Sequence, residues 1–217
     1  MAVNRDQLHD NFFLIEHPLI KHKLTHLRDT ETSKRTFKNM VREIALLLAY
    51  EATADLPLCP TQVTTPLETT EEFILEGKKP VILPILRAGL GMVDGFLDLI
   101  PSARVGHIGI FRDETTLEPR HYYFKVPKES PKRIFFVVDP MLATGGSASS
   151  ACDLLKERGI RQIKFVCLVA APEGVTRMAE THPDVPIYAA SLDRKLNDKG
   201  YILPGLGDAG DRIFGTR

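Results

Sequence analysis

IFFVVDPMLATGGSASS, residues 134–150, is the stretch whose reading decides the fold. Ile134, Phe135, Phe136, Val137 and Val138 form an unbroken apolar run, rich in β-branched and aromatic residues. An unbroken run, rather than an alternating one, predicts a strand covered on both faces, as in a parallel sheet. Asp139 follows at the strand's carboxyl end, then Pro140, Met141 and Leu142, then the small residues Ala143, Thr144, Gly145, Gly146 and Ser147. A helix is predicted next, with Ala148, Ala151, Leu154 and Leu155 on one face and Gly159 placed to cap its end behind Lys156 and Arg158. A strand, a glycine-rich turn and a helix N-terminus together bring backbone N–H groups and a favourable dipole to one point, which suits a phosphate. The plainer reading is a tight βα turn whose small residues serve helix–strand packing.

The type of phosphate site is narrowed by what the turn lacks. No lysine precedes Ser147, so the G-x-x-x-x-G-K-[ST] pattern of P-loop nucleotide hydrolases is absent. G-x-G-x-x-G, the dinucleotide fingerprint, is absent from this turn as well. The acid stands directly before the loop, where it can bind sugar hydroxyls while the loop holds a 5′-phosphate.

Working outward, Pro18 marks the start of a short helix within an N-terminal arm, residues 1–30. Phe37, Met40, Val41, Ile44, Leu47 and Leu48 repeat with the helical period and predict a long amphipathic helix over 33–54. Pro57, Pro60 and Pro66 break the following stretch. Residues 81–86, VILPIL, read as a buried strand turning at Arg87, Ala88 and Gly89 into a helix over 92–100. Strands are expected at 104–111, 163–170 and 185–190, with a helix over 173–181. Residues 112–131 are polar, contain Pro119 and Pro127, and predict a hairpin or lid. Strands alternating with helices imply one α/β domain over 1–217, a mostly parallel sheet flanked by helices, with its ligand outside the carboxyl ends of the strands. Arg87, Arg112 and Asp139 all follow strands and should face one crevice.

Composition excludes several classes. Lys plus Arg and Asp plus Glu are 28 each in 217 residues, so no global field draws nucleic acid or an acidic membrane. Cys59, Cys152 and Cys167 show no paired spacing and suit a reducing compartment. The polar start carries no signal-peptide core and no apolar run is long enough to span a membrane, so a cytoplasmic protein is expected. His22 and His26 have a metal-compatible spacing without a third ligand and read as surface residues. Ser147 lacks the G-x-S-x-G setting of a nucleophile. Residues 196–217, with glycines at 200, 205, 207 and 210 around Asp208, present backbone donors and acceptors that can read the edge of a pyrimidine.

HPLIKHKLTHLRD (17–29), EIALLLAYEAT (43–53), PILRAGLGMVDG (84–95), FRDETT (111–116), VVDPMLATGGSAS (137–149) and GYILPGLGDAGDR (200–212) occur in this order along nearly the whole chain. Together they resemble the uracil phosphoribosyltransferases, within the type I phosphoribosyltransferases. The resemblance implies that fold, with a hairpin or lid at 112–131 and a C-terminal base-binding hood at 196–217. It implies the salvage reaction of uracil with phosphoribosyl pyrophosphate (PRPP) to give UMP and diphosphate, with Mg2+. Carried onto this sequence, Arg87 and Arg112 hold the diphosphate and stabilise its charge. Asp139, Pro140, Met141, Leu142, Ala143, Thr144, Gly145, Gly146 and Ser147 bind the ribose and its 5′-phosphate, and Asp208 also touches PRPP. The backbones of Ile202, Gly207, Asp208 and Ala209 read uracil; apart from the resemblance, Tyr201 beside them is a further candidate to pack against the base. A homodimer or higher homo-oligomer is expected, with the N-terminal arm and the 112–131 hairpin as assembly elements, and the family leaves a GTP effector open. Where many type I members have two adjacent acids and another acid within the loop, this chain has Val138 before Asp139 and Leu142-Ala143 inside. A general base from the loop is therefore not expected, purine and orotate substrates are disfavoured, and the metal should ride on the substrate's own diphosphate and water. Transfer to another base, or an RNA-binding pyrimidine regulator on the same fold, stay open at this point.

Overall fold

The computed structural model describes residues 3–5, 9–112 and 119–216, with side chains for 9–111 and 120–216. The chain begins with strands β1 (Val3–Arg5) and β2 (Phe12–Ile15), then helices α1 (Pro18–Arg28) and α2 (Lys34–Ala52). A hairpin follows, β3 (Leu58–Thr64) and β4 (Thr69–Leu75). The central unit runs β5 (Val81–Leu86), α3 (Leu90–Leu99), β6 (Arg104–Val105), β7 (His107–Arg112), β8 (Pro119–Lys125), β9 (Phe135–Val138), β10 (Met141–Leu142), α4 (Gly146–Glu157), β11 (Ile163–Ala170), α5 (Pro172–Thr181) and β12 (Ile187–Leu192). The hood consists of β13 (Lys195–Leu196), β14 (Ile202–Leu203) and α6 (Ala209–Phe214).

Among the described residues, ten strands form one sheet in the order β1-β2-β12-β11-β9-β5-β7-β8, with β10 on β11 and β6 on β5. The run from β2 to β7 is parallel, and only the edge strands β1 and β8 are antiparallel to their neighbours. The two faces divide the side chains of β9 by simple alternation. Phe136 and Val138 join a core with α1, α2 and α3, while Phe135 and Val137 join a second core with α4 and α5. Both sets are fully buried, which is why the strand shows no polar positions.

The helices follow their sequence signals. Ser33 caps α2 by accepting from the Thr36 N–H at 3.2 Å, and His17 accepts from the Leu19 N–H at the start of α1. The C-terminus of α2 is met by Lys164 from β11, whose buried ammonium donates to the Ala52 carbonyl at 2.8 Å and to Asp55.

Three local expectations change. Residues 12–15 do not trail as an arm: β2 pairs in parallel with β12, Phe12 against Ile187, and Phe12 and Ile15 are buried. Pro60 does not end structure but lies within β3, paired with Phe73 in a separate two-stranded hairpin where an edge position needs no N–H. Met141 and Leu142, read as loop, form a two-residue strand beside Val169 and Ala170.

Candidate active site

The carboxyl ends of β5 and β9 meet the hood at a cavity of about 230 Å³. Ala88 comes from the turn after β5. Asp139, Met141 and Ala143 come from the segment after β9, and Tyr201, Ile202, Gly207, Asp208 and Ala209 from the hood. The tip of a parallel strand and a C-terminal loop more than fifty residues away in sequence thus face the same space.

The 139–147 segment splits by alternation. Asp139, Met141 and Ala143 line the cavity. Pro140 and Leu142 are buried behind them, and their carbonyls accept from Leu168, Val169 and Ala171 on the β11 side. Those two residues fasten the segment to the β11 side while their neighbours line the cavity, because β10 imposes the two-residue period of a strand. Gly145 then turns the chain into α4 with φ +75°, and a Cβ there would lie 2.9 Å from the Gly174 carbonyl oxygen. The N-cap Gly145 offers no side chain to this helix, and the Gly146 N–H donates to Thr144 Oγ1 at a long 3.5 Å. Arg177 of α5 was not foreseen. Its Nη1 lies 3.7 Å from the point where a Gly146 Cβ would stand, so a second positive group sits over the same turn. A lone arginine on a helix has no local sequence signal for such a role.

Asp139 reaches the cavity but is crowded by protein atoms. Desolvation pushes its carboxyl up to about 7, offset in part by the Met141 N–H. Asp208 accepts from the Asp211 N–H at 2.9 Å and so caps α6 with one of its oxygens. Arg87 stands at the rim rather than in the cavity. Its side chain is 60 % exposed, 3.9 Å from Asp211, and lies over the Phe214 ring at 5.9 Å. Arg112 ends β7, and its side chain falls outside the described residues, as do residues 113–118 beyond it. The adjoining β8 is tied to α4 by a 2.7 Å bond between His121 and Ser150, so the base of this hairpin is anchored.

The hood is shaped by its own polar groups. Asn197 Oδ1 accepts from the N–H groups of Lys199 and Tyr201, and the Asn197 N–H and carbonyl bond Tyr201 and Gly200. Tyr201 is half exposed at the cavity edge, and Ile202 is buried in β14. Among the described residues no group of three or more His, Cys, Asp or Glu side chains is placed to hold a metal ion. His22 and His26 meet edge to face on the exposed side of α1, in line with surface residues. Cys152 and Cys167 are buried, with thiols pushed up by desolvation, Cys152 to about 12. Burial of this kind is the setting of structural rather than reactive cysteines. No helix among the described residues is long and apolar enough to cross a membrane.

This arrangement of strand tip, small-residue turn and glycine-rich hood has close counterparts. The family model described as "Uracil phosphoribosyltransferase" matches residues 14–216. The chain belongs to the uracil phosphoribosyltransferase family. A curated uracil phosphoribosyltransferase of Streptococcus salivarius is 60% identical over 206 residues, covering 95% of this chain and 99% of that protein. One from Streptococcus agalactiae is 61% identical over the same shares. A solved Aquifex aeolicus structure superposes with a TM-score of 0.88 at 41% identity, covering 94% of this chain and 98% of that one. An adenine phosphoribosyltransferase of Trypanosoma brucei, at 12% identity and a TM-score of 0.61, shares the fold alone. The sheet is therefore that of the type I phosphoribosyltransferases.

Proposed function

We propose that the cavity between Asp139 and the hood is where the chain joins uracil to the phosphoribosyl group of PRPP, yielding UMP and diphosphate in pyrimidine salvage. The observation that carries this reading is the juxtaposition of Asp139, Met141 and Ala143 with Ile202, Gly207, Asp208 and Ala209 around one small space. One wall carries Asp139, Met141 and Ala143, the residues that lead into the small-residue turn, and the other is the hood. In this reading Thr144, Gly145, Gly146 and Ser147 hold the 5′-phosphate through N–H groups, and Asp139 accepts from the ribose hydroxyls. Arg87 and Arg112 close on the diphosphate, and Asp208 adds a contact to PRPP beside its capping bond. Ile202, Gly207, Asp208 and Ala209 read uracil through the backbone, with Tyr201 against the ring.

The bond from the anomeric carbon to the diphosphate oxygen breaks as the bond to uracil N1 forms, and the N1 proton leaves. Charge builds on the departing diphosphate, so the reaction needs alignment and cations more than a nucleophile. The remote 5′-phosphate anchor supplies alignment and the two arginines supply charge. The acids at the cavity suit a metal that arrives on the substrate: Asp139 has a carboxyl drawn toward its neutral form and Asp208 is engaged as a cap. Mg2+ bound to the diphosphate of PRPP, completed by water, fits that donor set.

Cytosine presents an amine where uracil presents an oxygen, so a fixed hood N–H would lose its partner, at a cost of about 1–3 kcal/mol. The deciding experiment is a uracil-dependent diphosphate-release assay, run with and without Mg2+ and against cytosine, adenine and orotate. Release with uracil and Mg2+ alone supports the reading, and equal release with another base overturns it.

A second copy of the chain is the proposed assembly partner. The β3–β4 hairpin forms its own two-stranded sheet, yet Leu58, Phe73, Ile74 and Leu75 are all about half exposed or more. Isolated hairpins are marginal in water, and clustered apolar surface favours association. Sedimentation of the wild type against Phe73→Glu tests this, a shift toward monomer being expected. The cytoplasm is the compartment proposed, on the three unpaired cysteines.

A further inference from the structure

The hood's small sheet, β13–β14, is separate from the ten-stranded sheet. What fixes it in front of the cavity is side-chain chemistry centred on Asp193, the residue after β12, which is only 5% exposed. Asp193 Oδ2 accepts from the Gly205 N–H and from Arg28 Nη1, both at 2.8 Å. Asp193 Oδ1 accepts from Arg28 Nη2 at 2.7 Å and from the Ser191 hydroxyl at 2.8 Å. Arg28 Nη1 also donates to the Gly205 carbonyl at 2.9 Å, and Nη2 to Ser191 Oγ at 3.0 Å. Both backbone polar groups of Gly205 are thus held by one ion pair. Gly205 itself has φ +65°, and a Cβ there would lie 2.2 Å from the Ile202 carbonyl oxygen, so the turn it makes admits no side chain.

Gly205 lies between Ile202 and Gly207, two residues that line the cavity. A second arginine secures the far side: Arg212 Nη1 donates to the Leu206 carbonyl at 3.0 Å and to the Leu27 carbonyl at 2.8 Å. Helix α1 therefore ends in a seat for the hood, with Arg28 as its last residue. The carboxyl of Asp193 is raised by desolvation but more than brought back by Arg28, the Gly205 N–H and Ser191, leaving it below its ordinary value. A buried ion pair of this kind is weak support for stability, since apolar groups of equal volume often do as well. Its fixed bidentate geometry is instead suited to holding backbone donors and acceptors to the tolerance a base edge demands.

We propose that Asp193 and Arg28 are a positioning pair for base selection: by gripping both polar groups of Gly205 they set the hood backbone that reads the pyrimidine edge. This rests on the uracil reading above. Neither residue touches substrate. Loosening the grip should weaken uracil and sharpen nothing else, because the phosphate turn is built on different elements.

The test is steady-state kinetics on the full chain with uracil, cytosine and PRPP varied separately. Asp193→Asn should raise KM for uracil about tenfold or more while KM for PRPP stays within about twofold, as expected when a buried charge-assisted grip is lost on one side of a site. The uracil-over-cytosine ratio should fall with it. Arg28→Lys keeps the charge but cannot reach both carboxylate oxygens and Gly205, so it should move the same constants in the same direction. Ser191→Ala removes only one bond to the carboxylate and should raise KM for uracil by about threefold. If Asp193→Asn does not fold, Arg28→Lys and Ser191→Ala carry the test. Folded variants with unchanged KM for uracil overturn the inference, and so does an equal rise in both KM values, which a merely structural role would produce. Absence of UMP formation by the wild type with uracil is a different failure: it removes the functional reading itself, and this inference with it.

Discussion

The segment that follows β9 and the hood meet at one cavity, Asp139, Met141 and Ala143 on one side and Ile202, Gly207, Asp208 and Ala209 on the other, but they are held in opposite ways. The turn is made of neighbours in sequence: β9, the two-residue β10, Gly145 and α4 follow one another, and main-chain bonds to β11 fix them. The hood borrows its rigidity from distant parts of the chain, through Arg28 of α1, Asp193 after β12 and Glu173 of α5, whose carboxylate accepts from the Leu196 N–H at 2.9 Å. A local βα turn gives a stable anion site that many substrates can share. A loop seated by long-range side chains can be reshaped without disturbing the sheet, which suits the part proposed to select the base.

The sharpest way to break the comparison is to remove a group that belongs to neither region. Arg87→Ala should lower turnover on the order of 10²-fold, as loss of one preorganised anion donor does, with the fold intact by circular dichroism. Steady-state kinetics that match the wild type would remove Arg87 from the chemistry. Next come the two glycines. Gly205→Ala places a Cβ against the Ile202 carbonyl and should cost about tenfold or more in kcat/KM for uracil. Gly145→Ala, strained at φ +75° against Gly174, should instead act on KM for PRPP. If both substitutions affect the same substrate, the two regions are not separate.

A pH experiment bears on the turn alone. The folded carboxyl of Asp139 titrates at about 7, against an ordinary value of 3.8. The folded state then binds more protons than the unfolded one between those values, so this residue's contribution to stability is lost as pH rises through them. Asp139→Asn should therefore gain in Tm over the wild type as pH goes from 5 to 8 while losing PRPP affinity; a Tm difference constant across that range would count against the shifted carboxyl. The smallest effect belongs to Arg177. Arg177→Ala should raise KM for PRPP by about two- to fivefold, more at low salt than at high, because an exposed cation acts through a screened field.

The contrast between the two regions also explains what could be read before any coordinates. VILPIL and IKFVCLVA are strands at 81–86 and 163–170, as their apolar runs require, and α2 begins at the Ser33 cap that its sequence advertises. Asp139 and the hood glycines could be picked out because strand tip, small-residue turn and glycine spacing are local patterns. The Phe12–Ile15 strand escaped because four residues carry too little periodicity, and β3 because Pro60 reads as a breaker unless its strand is known to stand at an edge. Arg28 and Asp193, separated by 165 residues, escaped because neither has a local partner.

By itself the sequence determined the parallel sheet and the small-residue turn at its edge, since strand burial, turn chemistry and helix capping are all written in neighbouring residues, and its family motifs carried the class of chemistry. Only the tertiary structure decided which wall of the cavity each residue faces, that Pro140 and Leu142 fasten while Asp139, Met141 and Ala143 line, and that one buried ion pair grips Gly205. Those outcomes depend on desolvation and bond geometry between segments far apart in the chain, which exist only once the sheet has brought them together.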